Sequence, residues 1–120
     1  MSTTILQEGQ HTAEFLLSEG NGGISREQVT FAAGDALPPG QLLGVVTASG
    51  KYKPYNPADT GGSATGTAVA AGILYAALEG SAGDRAGVVI VRLAEVAGAK
   101  LTGLTDAAKA DLKTRNIIVR

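Results

Sequence analysis

Val88-Val89-Ile90-Val91 sets four β-branched residues in a row with no polar residue between them. Such side chains suit a pleated strand, and a strand without polar alternation needs cover on both faces. A chain of 120 residues supports one domain with one core. The fold must therefore supply a second layer around this strand from short neighbouring elements.

The rest of the chain offers mostly strands. Gly87 to Val96 and Val69 to Leu78 are the two strongest, separated by the turn formers Glu79-Gly80-Ser81-Ala82-Gly83-Asp84. Arg92 and Glu95 are expected on opposite faces of the first. Val29-Thr30-Phe31-Ala32 and Leu42 to Ala48 are shorter strands, divided by Leu37-Pro38-Pro39-Gly40, whose prolines interrupt regular pairing. Ser49-Gly50-Lys51 turns the chain into Tyr52-Lys53-Pro54-Tyr55-Asn56-Pro57, and Asp59-Thr60-Gly61-Gly62-Ser63 is loop. One helix is expected, over Thr105 to Arg115, with Thr105 as N-cap, Asp106 at the positive dipole end and Lys113 and Arg115 at the other. Leu104, Ala108 and Leu112 form its buried stripe, and Asp111 and Arg115 form an i,i+4 pair. Asn116 suits a left-handed C-terminal cap, after which Ile117-Ile118-Val119 returns as a strand. The chain reads as mainly β with one short C-terminal helix.

Met1 to Gly23 differs in character from the other residues. Polar residues and glycines surround one apolar island, Phe15-Leu16-Leu17, and Gly20-Asn21-Gly22-Gly23 closes the segment as a hinge. The division expected is a flexible N-terminal arm over 1–23 and a single β-rich domain over 24–120. The arm is either a disordered terminus or a segment that orders against a partner, and the apolar island is the anchor the second needs.

Composition narrows the function. Aromatic residues make up 4% of the chain and 17 glycines dilute it, so core volume comes from Ala, Val, Leu and Ile. A small core with few large anchors favours a homo-oligomer, which buries apolar surface a monomer exposes. A net charge of -1 gives no basic excess for phosphates, so neither nucleic acid nor a polybasic membrane contact is expected. No cysteine is present, which rules out disulfides and thiolate metal sites and suits a reducing cytoplasm. The first residues lack a signal-peptide pattern. The longest nearly apolar stretch, Ala68 to Leu78, is about half the roughly 20 residues of a membrane helix. The chain reads as soluble.

Catalytic constellations are weak. His11, the single histidine, sits in the arm, where a triad base could not be held in place. The carboxylates Asp35, Asp59, Glu79, Asp84, Glu95, Asp106 and Asp111 are scattered without metal-ligand or glycosidase spacing. Gly44 to Tyr52 imitates a phosphate-binding loop, but Tyr52 stands where the magnesium-binding hydroxyl belongs, and a strand with a hairpin turn is the better reading. Tyr52 and Tyr55 either stack a ligand or cover a core edge. No cofactor or metal is expected.

Gly9-Gln10-His11-Thr12-Ala13-Glu14-Phe15-Leu16-Leu17-Ser18-Glu19, Gly23-Ile24-Ser25-Arg26-Glu27, Ala71-Gly72-Ile73-Leu74 and Val89-Ile90-Val91-Arg92-Leu93-Ala94-Glu95-Val96, in this order, resemble the head decoration protein family of lambda-like tailed bacteriophages. The similarity spans nearly the whole chain. It implies a small β-clip-like or β-barrel-like subunit and a homotrimer on the exterior of the expanded capsid, made in the host cytoplasm. It also implies that the arm, mobile when free, orders against the major capsid protein. The residues assigned to that contact are Thr12, Ala13, Glu14, Phe15, Leu16 and Leu17. The expected function is cementing: trimers stabilise the head against internal DNA pressure without catalysis. Two other classes compete: a small cellular β-module binding a peptide or carbohydrate through Tyr52 and Tyr55, and an enzyme with a carboxylate site.

Overall fold

The computed structural model describes residues 12–20, 23–58 and 66–120. Met1 to His11, Asn21, Gly22 and the loop around Asp59 to Ser63 lie outside the described residues, and with them most of the expected arm and half of its hinge. The elements in chain order are β1 (Leu16–Glu19), β2 (Arg26–Phe31), β3 (Leu42–Val45), β4 (Tyr52–Pro54), β5 (Gly72–Leu74), β6 (Arg85–Ile90), β7 (Ala94–Val96), α1 (Asp106–Lys113) and β8 (Ile117–Val119). The fold is mainly β, as expected.

Five strands close a barrel in the order β2-β4-β3-β5-β6, with β6 returning to β2 in antiparallel register from Arg26↔Ile90 to Phe31↔Arg85. The other three form a separate sheet, β1-β7-β8, in which β7 runs antiparallel to β1 and parallel to β8. The apolar run 88–91 explains how the two layers share a core. Val89 and Val91 join Phe31, Leu37, Leu43 and Leu74 inside the barrel. Ile90, pointing the opposite way, joins Leu42, Ile73, Phe15, Ala94, Val96, Ala108, Leu112 and Ile117, between the barrel, the second sheet and α1. Both faces of the strand are thus covered. Leu42-Leu43 of β3 and Ile73-Leu74 of β5 divide between the layers in the same way.

Two expected strands are shorter than their apolar runs. Of Val69 to Leu78 only Gly72–Leu74 pairs in a ladder, although Ala70 and Ala71 are buried; burial here extends beyond pairing. Gly87 to Val96 is two strands, because Leu93 takes a left-handed backbone (φ 53°) that turns the chain out of the barrel and into the second sheet. Arg92 therefore lies in the bend between the two strands, paired with Glu27, and Glu95 lies on β7, paired with Arg120, in place of opposite faces of one strand. Leu42 to Ala48 ends as a strand at Val45. There a hairpin turn begins, with Gly50 (φ 72°) donating its N–H to Val46 O at 2.7 Å. Close packing requires a glycine at position 44, where a Cβ would stand 2.6 Å from Thr67 Cα.

The helix follows its sequence signals. Thr105 Oγ1 accepts the Ala108 N–H at 3.0 Å, Ala108 and Leu112 are buried, and Asn116 adopts φ 61° before β8. Asp111 differs: its carboxylate accepts the Ala70 N–H at 3.0 Å, tying α1 to the barrel in place of the expected pair with Arg115. No helix among the described residues is long and apolar enough to cross a membrane.

Candidate functional site

The six residues assigned to partner contact, Thr12 to Leu17, form one continuous segment on the edge of the second sheet. A turn starts it: Ala13 has φ 57°, donates its N–H to Tyr75 O at 2.8 Å and accepts the Leu16 N–H at 2.9 Å. Phe15 then points inward, 1% exposed, against residues of β7, α1 and β8, while its carbonyl accepts the Ala97 N–H at 2.8 Å. The apolar island is thus divided: Phe15 belongs to the protein's own core, Leu16 is half-buried beside it, and Leu17 is 56% exposed. The register between β1 and β7 shifts between Leu16 and Ser18, so Leu17 lies at an irregularity that frees it from the ladder. Thr12 and Glu14 are exposed as well.

Polar contacts hold both ends of this segment. Lys100 Nζ lies 3.7 Å from Glu14 Oε1. Ser18 Oγ donates to Glu95 Oε2 at 3.2 Å and Arg120 Nε donates to Glu95 Oε1 at 2.8 Å; these bonds, Arg120 first, hold the Glu95 carboxyl below the usual carboxylate range. The Arg26 guanidinium, paired with Glu19 and lying 4.3 Å over the Tyr75 ring, lowers the Glu19 carboxyl likewise. At Gly20 the N–H meets both Leu93 O at 3.1 Å and Ser25 Oγ at 2.7 Å, and Ser25 is fully buried.

Other sequence candidates are dispersed. Tyr55 is 6% exposed and its hydroxyl shares a 3.0 Å hydrogen bond with Thr105 Oγ1. Tyr52 is half-buried, tilted at 43° against Phe31, and burial raises its phenol pKa. The two rings cover core edges and form no open stacking platform. Gly44 to Tyr52 is a hairpin. Among the described residues no group of three or more His, Cys, Asp or Glu could hold a metal ion. His11 lies outside the described residues.

Sequence reasoning missed Ser25 and Leu93, which fasten the end of β1, because neither carries a local signal: a serine in a short polar stretch and a leucine in an apolar run. It also missed the exposed apolar side chains Ile24, Val69, Leu93 and Ile118. Among the described residues the arrangement offers surface and anchoring contacts. In a comparison with protein families, the model described as Bacteriophage lambda head decoration protein D matches residues 5–117. Among curated proteins, no match was found.

Proposed function

Since this chain belongs to the family of bacteriophage lambda head decoration protein D, structural proteins of the virion capsid exterior, we propose that it binds the expanded head as a homotrimer through the major capsid protein and stabilises the shell against the pressure of packaged DNA. The family match over residues 5–117 carries this reading.

Thr12 to Leu17 is the attachment segment in this proposal. Phe15 fixes it to the domain from inside, which leaves Thr12, Glu14 and Leu17 to face the shell. The exposed edge of β1 suits main-chain pairing with an extended capsid segment. Three such segments per trimer make attachment multivalent, so modest contacts add to strong retention. Binding that favours the mature shell stabilises it by linkage, by about 2.7 kcal/mol per site at one hundred times the dissociation constant.

Expanded, undecorated shells incubated with the protein test this. Bound protein in multiples of three and greater survival of the shells on heating are expected. Absence of binding, or binding as single subunits without protection, refutes the proposal.

A further inference from the structure

The stretch from Ala13 to Glu19 touches the barrel near both of its ends, and one pair of side chains joins the two places. Upstream, the Ala13 N–H donates to Tyr75 O at 2.8 Å, and the Tyr75 N–H in turn donates to Val88 O of β6 at 2.9 Å. Downstream, Glu19 takes a bidentate contact from Arg26, the first residue of β2: Nε donates to Oε2 at 3.0 Å and Nη2 to Oε1. The Arg26 guanidinium lies 4.3 Å over the ring of the same Tyr75. A continuous path therefore runs from Ala13 through Tyr75 and Arg26 to Glu19.

The ladder with β7 holds β1 to the second sheet, whereas this path holds it to the barrel. Arginine suits the place because its planar fork meets a carboxylate with its edge while its face covers a ring; a lysine offers a point charge without a fork. The Arg26 side chain is 39% exposed, so its ion pair adds little to global stability. What it does restrict is where the end of β1 can lie. Ala13 needs similar support, since its left-handed backbone, φ 57°, persists only where the surroundings fix it.

We propose that Arg26 and Tyr75 are positioning residues for shell attachment. They keep Ala13 to Glu19 in one conformation in the free protein, so Thr12, Glu14 and Leu17 meet the shell already placed. This stretch docks as a preformed strand instead of folding on contact, and part of the ordering cost is removed from association. The proposal rests on the attachment reading above and deepens it.

Amide exchange of the free protein, its urea midpoint and its binding to expanded, undecorated shells, measured together, test this. Tyr75→Leu removes the ring and keeps the main-chain bonds, and Arg26→Gln removes the cation. In both, exchange at Ala13 and from Leu16 to Glu19 should rise. Shell affinity should fall about two- to fivefold per segment, the factor one exposed cation–π contact supplies, compounded over the three segments of a trimer. The urea midpoint of Arg26→Gln should stay close to that of the wild type. Tyr75→Phe keeps a ring face and should retain wild-type exchange and binding. Should Tyr75→Leu fail to fold, Arg26→Gln, which changes an exposed side chain, carries the same test. Wild-type shell affinity in Arg26→Gln overturns the proposal, as does a loss in Tyr75→Phe equal to that in Tyr75→Leu. Absence of binding by the wild type overturns the attachment reading itself, and this proposal with it.

Discussion

Ser25 Oγ donates to the carbonyl oxygen of Leu93 at 2.7 Å, joining the start of β2 to the residue where the chain leaves the barrel. Through the Gly20 N–H it also receives the end of β1. Ser25→Ala removes one partner from each of these backbone groups, which keep their 3.1 Å hydrogen bond to each other, at a cost of about 0.5 to 1.5 kcal/mol for each bond lost. Urea unfolding should show that loss. Amide exchange should rise at Gly20 and across Leu16–Glu19 more than at Val89 and Ile90.

Phe15 and Leu17 should separate by measurement. Phe15→Ala opens a cavity in the core between the layers and should cost about 3 to 5 kcal/mol in the free protein. Leu17→Ala changes a mostly exposed side chain and should stay within about 0.5 kcal/mol. In shell binding, Leu17→Ala should reduce occupancy while leaving the thermal midpoint of the free protein unchanged. Equal unfolding midpoints for the two variants would contradict this placement of Phe15.

Acid should loosen β1. Glu19 and Glu95 have folded pKa values below the usual 4.5, lowered chiefly by Arg26 and Arg120 respectively. A carboxyl depressed on folding contributes stability that is complete above its unfolded pKa and is lost as pH falls through the folded one. The loss therefore lies below about pH 4.5, and since both groups are exposed it is small and sensitive to salt. Carboxyl-carbon titration by NMR should show Arg120→Gln raising the Glu95 pKa and sparing Glu19, with Arg26→Gln doing the reverse.

Asn116, two residues beyond the Thr114 cap of α1, holds φ 61° before β8. Asn116→Ala keeps the Cβ but lacks asparagine's tolerance of the left-handed region, and should destabilise by about 1 kcal/mol. Asn116→Gly should cost less than Asn116→Ala, as judged by thermal unfolding.

Legibility in the sequence followed the range of the interactions. The helix, its Thr105 cap, the left-handed Asn116 and β8 depend on residues a few positions apart and were readable, although the helix stops at Lys113 with Thr114 as its cap, short of Arg115. Val88 to Val91 announced two covered faces because a strand's burial is written in its own side chains. Where apolar runs outlasted pairing, as at Ala70-Ala71, the residues are equally apolar whether or not a neighbouring strand bonds them. The turn at Leu93 has no glycine, asparagine or proline to mark it; Ser25, far away in sequence, holds it. Phe15 was ambiguous in the same way, since an apolar side chain beside a glycine-rich stretch looks alike whether it fills its own core or another protein's. Sequence singled out the segment Thr12 to Leu17, and only the fold divides it into inward and outward residues.

The antiparallel registry of β1 on β7 sets how the domain answers a pull. Tension applied to the chain before Thr12 along the strand direction reaches β1 as shear, so its cross-strand hydrogen bonds resist together instead of parting one by one. Phe15, at the upstream end, acts as a peg that must be withdrawn from among β7, α1 and β8 before the strand can slide. The mechanical threshold of this segment should therefore exceed what a strand of four residues offers alone, and should fall sharply when the ring at position 15 is removed.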